Sequence, residues 1–140
     1  MSFKTTRTAM SWKKDQMDTV NDLRIQLKDI NEEKIGSVDI FMLCLAIGFE
    51  SGIQGELPPK NSNGVRLTYI KEDNEALIRA LALSVSNDSD ILLDDEKVLD
   101  IAERFAATGL ILLERELAKA SNFRQFITGK LYQASKKLVH

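Results

Sequence analysis

An all-α domain of about five helices, packed as one compact, bundle-like unit, is predicted by three observations. Apolar residues recur at spacings of three and four in several separate stretches. Breaks rich in Gly, Pro, Asn and Asp divide those stretches at helix-like intervals. Alternating polarity is confined to residues 65–70, which leaves room for at most one short extended segment or hairpin.

Taking the elements in order, residues 1–11 are rich in Ser and Thr and lack periodicity, and read as a flexible basic arm. Residues 12–140 form the single helical domain. Over 12–33, Val20, Leu23, Leu27 and Ile30 make a narrow apolar stripe, nearer a coiled-coil seam than a fully buried helix. That seam can pack on this domain or on a partner, and it is the candidate partner interface. Gly36 ends the region, and Ser37 is placed to cap a second helix.

That second helix contains Ile-Phe-Met-Leu-Cys-Leu-Ala-Ile-Gly-Phe at 40–49, an uncharged run in a chain of 29% charged residues. It should be the centre of the core. It is also about half the length that a membrane span needs. Residues 51–64 hold Gly52, Gly55, Pro58, Pro59 and Gly64, and read as a loop.

Asp73 is placed to cap a third helix over 74–85. After a polar break, Asp94 or Asp95 starts the longest helix, which runs to about residue 119. Gly109 inside it costs about 1 kcal/mol relative to Ala, which points to a close helix contact or a bend. A fifth helix is expected after a cap at Ser121 or Asn122, with Phe123, Phe126, Ile127, Leu131, Ala134 and Leu138 as its apolar positions.

Composition narrows the functional classes. At 140 residues the chain holds one domain. Its single cysteine, Cys44, excludes an internal disulfide framework and fits a reducing cytoplasm. Residues 1–12 lack the apolar core of a secretory signal. The expected location is cytoplasmic.

Charge is unevenly placed. Residues 1–14 hold Lys4, Arg7, Lys13 and Lys14 with no acid, and residues 121–140 hold Arg124, Lys130, Lys136 and Lys137 with no acid. This leaves 11 basic residues against all 21 acids within 15–120. Basic ends on an acidic body suit electrostatic contact with another subunit or with phosphates. Lys13, Lys14, Arg124, Lys130, Lys136 and Lys137 are therefore candidate DNA contacts, with Lys4 and Arg7 beside them.

No catalytic constellation emerges. His140 is the sole histidine and Cys44 lies inside an apolar run, so Ser-His and Cys-His arrangements are absent. Zinc sites with several Cys or His ligands are excluded for the same reason. A calcium loop begun at Asp88 fails, because Leu92 and Leu93 fall where a ligand and a glycine are required. Asp95-Glu96-Lys97 has the residue types of a metal-dependent nuclease, but acids at a helix start are ordinary dipole partners. The loop at 52–60 lacks the Gly-Lys-Ser/Thr of a phosphate cradle. The expectation is a non-enzyme without cofactor or metal.

Four segments carry a resemblance to a known family. They are Val38-Asp39-Ile40-Phe41-Met42-Leu43-Cys44-Leu45-Ala46-Ile47-Gly48-Phe49-Glu50-Ser51-Gly52, Glu75-Ala76-Leu77-Ile78-Arg79-Ala80-Leu81-Ala82-Leu83, Ile91-Leu92-Leu93-Asp94-Asp95, and Ile101-Ala102-Glu103-Arg104-Phe105-Ala106-Ala107-Thr108-Gly109-Leu110. In order and spacing over 38–117 they resemble the Dnd-associated small helical proteins encoded beside bacterial DNA phosphorothioation and phage-defence clusters. These are packing motifs. The resemblance implies a non-catalytic accessory subunit of an anti-phage complex, bound to a larger SMC- or ABC-like ATPase or a nuclease, and open to homo-oligomerisation. The alternative is a DNA-binding or DNA-sensing regulator that uses the basic ends.

Overall fold

The computed structural model describes residues 3–5, 7–30, 36–59, 64–119 and Gly129, with 26–30 described by their backbone alone. Four α-helices and one two-stranded ribbon account for most of these residues. In chain order they are β1 (Ala9–Met10), α1 (Lys14–Ile30), α2 (Ser37–Ser51), β2 (Val65–Arg66), α3 (Glu72–Ser86) and α4 (Asp95–Lys119). Short 3-10 turns occupy Leu67–Tyr69 and Ser89–Leu93. Of the expected fifth helix only Gly129, which is helical, is among the described residues, and the helices counted among these residues are the four above.

The uncharged run forms the middle of α2 and is the centre of the core. Residues from Ile40 to Ala46 are all buried. The helix starts at Ser37, the expected cap itself, so the N-cap falls one residue earlier. Gly36 occupies the N-cap, and its N–H donates to Asp39 Oδ2 at 2.9 Å. Asp39 thus satisfies a free donor and faces the positive end of the helix dipole. Gly52 ends α2 at φ 73°, a left-handed conformation that glycine adopts without a Cβ clash.

α4 lies antiparallel against α2. A Cβ on Gly48 would stand 1.8 Å from the Phe105 carbonyl oxygen, and one on Gly109 would stand 1.7 Å from that of Cys44. The two glycines therefore let the backbones touch, which settles Gly109 as a close contact. Of the two expected caps of α4, Asp94 takes the position: its Oδ1 accepts from Lys97 N–H at 3.2 Å. α3 begins at Glu72, earlier than expected. Its acidic first turn (Glu72, Asp73, Glu75) complements the dipole where Lys71 supplies no side-chain cap.

Residues 7–11 are packed rather than arm-like. Ala9 pairs with Arg66 and Met10 with Val65 in antiparallel register, and both Ala9 and Met10 are buried. A Cβ at Gly64 would lie 1.5 Å from the Met10 carbonyl oxygen, so this ribbon forms only with glycine there. Trp12 follows, buried edge-on against Phe41 at 5.7 Å. The loop after α2 folds back onto α4, where Gly55 N–H donates to the Arg104 carbonyl at 2.9 Å. Among the described residues, no helix is long and apolar enough to cross a membrane.

Candidate functional site

Half of the expected partner seam is spent inside the chain. Val20 and Leu23 are buried in the chain's own core, so neither is presented to a partner. The reason is tertiary. α1 packs on α2 and α4, and Gln16 Nε2 donates to the Ala107 carbonyl at 2.9 Å, which turns the stripe inward. The side chains of Leu27 and Ile30 lie outside the described residues. On the other side of α1, Ile25 is 62% exposed.

The basic residues separate in a similar way. Lys13 is half-buried and pairs with Glu56, while Lys14 is exposed. Glu56 is held below the usual carboxylate range by that hydrogen bond and charge. Arg7 is buried among acids on α4. Its guanidinium donates to Glu96 Oε2 at 2.7 Å, to Asp100 Oδ1 at 2.6 Å and to Glu103 Oε1. Arg7 is thus a structural cation rather than a phosphate contact. Arg124, Lys130, Lys136 and Lys137 lie outside the described residues.

The Arg7 cluster ties the start of the chain to α4. Glu96, Asp100 and Glu103 stand at spacings of four and three on one helix face, which is why one guanidinium reaches all three. Glu103 is buried and also accepts from Ser11 N–H at 2.7 Å. Burial pushes its carboxyl above the ordinary value, while the Ser11 bond and Arg7 pull it back. Nothing in the sequence pairs Arg7 with residues some 90 positions away, although the i, i+4, i+7 acids were a visible clue.

A second cluster sits at the start of α4. Arg79 donates to Asp95 Oδ1 at 2.6 Å, lies 3.6 Å from Glu75, and stacks 4.6 Å above the Phe3 ring. The Lys4 backbone N–H also donates to Asp95. Arg79 holds the Asp95 carboxyl below the usual range. Both carboxylates of Asp95-Glu96-Lys97 are therefore held by arginines, Asp95 by Arg79 and Glu96 by Arg7.

No group of three or more His, Cys, Asp or Glu among the described residues is arranged to hold a metal. Cys44 is completely buried, and burial pushes its thiol far above the ordinary value, which leaves it protonated and inert.

Beside Arg79 a groove of about 680 Å³ opens between α3 and the 3-10 turn Ser89–Leu93. Ala80, Leu83, Leu92 and Leu93 line it, with Lys4, Arg79 and Asp95 at one end. Leu93 is 86% exposed. Nothing local in the sequence marks this surface, because Leu92 and Leu93 follow Ile91 in a short stretch that ends in Asp94 and Asp95.

Fold and site together define a small helical domain whose clustered charges bind its own segments together. The chain belongs to the family of DNA sulphur modification system-associated protein 4, whose model matches residues 12–139. No curated protein and no solved structure matches it.

Proposed function

We propose that the chain is a non-catalytic accessory subunit of a bacterial anti-phage defence complex, which binds a larger SMC- or ABC-like ATPase or a nuclease. One observation carries the reading. The acids best placed for chemistry, Asp95 and Glu96, are engaged by Arg79 and Arg7 as structural ion pairs. A carboxylate held by an arginine is a poor metal ligand and a poor base. The chain then contributes surface rather than reaction chemistry, in keeping with a family described as associated with DNA sulphur modification. The outer side of α1, where Ile25 stands exposed, is the face assigned to the larger partner.

The described residues lend the DNA-contact alternative no support. Arg7 and Lys13 are engaged with acids. On α1 the exposed Lys14 and Arg24 are interspersed with the exposed Asp15, Asp18 and Asp22, so no positive stripe forms.

Co-expression of the tagged full chain with the proteins encoded by its neighbouring genes tests the proposal. The expected result is co-elution at fixed stoichiometry, lost in Ile25→Asp and kept in Lys97→Ala. Purification of the chain alone, with every neighbour-encoded protein in the flow-through, would overturn it. So would loss of phage protection in Lys97→Ala with the complex intact, since that outcome would indicate catalysis.

A further inference from the structure

We infer that the segment carrying Phe3, Lys4, Thr5 and Arg7 is a lid over the first turns of α4, hinged at Thr8, and that it opens while the rest of the domain stays folded. The contacts change character at Thr8. After it, Ala9, Met10 and Trp12 are buried in the core. Among the described residues before it, Phe3 alone is apolar, and it is half-buried. Thr8 itself is exposed, and its carbonyl accepts from Leu67 N–H at 3.0 Å.

Polar contacts hold the segment down. Lys4 N–H donates to Asp95, the Thr5 hydroxyl to Glu96, and the Arg7 guanidinium to Glu96, Asp100 and Glu103. The Glu96 and Asp100 side chains are 38% and 28% exposed, so water can replace much of what Arg7 gives them. Glu103 is fully buried, but its other oxygen accepts from Ser11 N–H, on the anchored side of the hinge. That bond survives opening, and water reaches the oxygen that Arg7 leaves.

Hydration regained when a buried ion pair parts offsets much of the lost attraction. The Arg7 Nε is buried without a hydrogen-bond partner among the described residues, and opening returns this donor to water as well. Apolar burial at Met10 and Trp12 has no such compensation. The weak joint is therefore Thr8, and the segment before it is a separate unit of opening.

Opening changes one region of the surface. It takes the Phe3 ring off the Arg79 guanidinium, removes Lys4 from the end of the groove, and uncovers Glu96 and Asp100 at the start of α4. Asp95 keeps its pair with Arg79. The lid thus sets whether these two acids face the chain's own Arg7 or solvent.

Native-state hydrogen exchange of the full chain at low urea concentrations tests the inference. Lys4 and Arg7 N–H, bonded to Asp95 and to the Thr5 hydroxyl, report the lid. They should exchange faster than the Leu43 and Cys44 amides of α2, at rates that do not change with urea, because lid opening exposes little surface. Ser11 N–H should follow α2, its rate rising steeply with urea. Ile40→Val weakens the core and should speed the α2 amides several-fold while leaving Lys4 and Arg7 unchanged. Asp100→Asn removes a charge-assisted bond to Arg7 and should speed Lys4 and Arg7 about tenfold.

Lys4 and Arg7 amides that share the urea dependence of α2 would overturn the inference, since the segment would then open only with the whole fold. So would an Ile40→Val effect of equal size on both sets, or no response of Lys4 and Arg7 to Asp100→Asn. The wild-type urea series depends on no variant. Partner binding through α1 is read separately by co-elution and stands or falls independently.

Discussion

Gly109→Ala offers the sharpest test of how α2 and α4 meet. In an exposed helix interior this substitution would stabilise by about 1 kcal/mol through backbone entropy. Here the new Cβ would stand 1.7 Å from the Cys44 carbonyl oxygen, 2.5 Å from its carbonyl carbon and 2.9 Å from its Cα. All three are backbone atoms of a buried helix, so no flexible side chain can swing aside. The helices must move apart by roughly the shortfall from an ordinary contact of about 3.4 Å, close to 1.7 Å.

Such a displacement loosens Phe105, Ala106, Leu110 and Leu113, all buried in the same core. Overpacking costs about 1–3 kcal/mol or more. With rigid backbone as the obstacle, the upper end applies, and about 2 kcal/mol or more of net destabilisation remains after the helix-propensity gain. The thermal midpoint should fall by several degrees.

Trp12 is the only tryptophan, and its burial against Phe41 makes its fluorescence a reporter of the native core in urea titrations. Gly52→Ala separates the two effects. It meets no atom within 4 Å but must hold φ 73°, so it carries backbone strain alone. Unchanged or increased stability of Gly109→Ala would refute the close crossing.

Three further outcomes follow from the buried charges and the thiol. Arg7→Met should cost about 3–5 kcal/mol in urea titration at neutral pH, since it strands Glu103 as a buried charge; adding Glu103→Gln should recover part of that. Because burial already raises the Glu103 carboxyl, Arg7→Met should be stabler at pH 5 than at pH 8: a raised folded-state value favours folding at low pH, and that contribution is lost as pH rises through it. Asp95 has the opposite sign. Its carboxyl is depressed by Arg79, so its contribution is complete above the unfolded value of 3.8 and fades as pH falls through the folded one. Asp95→Asn should lower neutral stability by about 1–2 kcal/mol and flatten the acid limb followed by Trp12 fluorescence. Cys44 should resist thiol reagents in the folded chain and react in step with urea unfolding; rapid labelling of the native protein would contradict its burial.

The sequence by itself determined the features that depend on near neighbours along the chain. The helical periodicity of α1, α3 and α4, the breaks between helices, an aspartate cap at 94 or 95 and the apolar run of α2 were all legible, because each is set within a few residues. Gly109 was legible as a costly helix position that points to a close contact or a bend, and only the Cys44 carbonyl lying against it decided for the contact.

What each surface faces was decided only by tertiary structure. The stripe at Val20 and Leu23 defines a side of a helix but not what covers it, and it turned inward once α1 settled on α2 and α4. Arg7 reads as one more basic residue near Lys4, yet it lies among three acids some 90 positions away. Leu92 and Leu93 lie next to one another in a polar stretch, and they became a groove wall only because α3 stands opposite. Pairing across long sequence separations depends on which elements remain to be covered after the core has closed, and no local pattern records that.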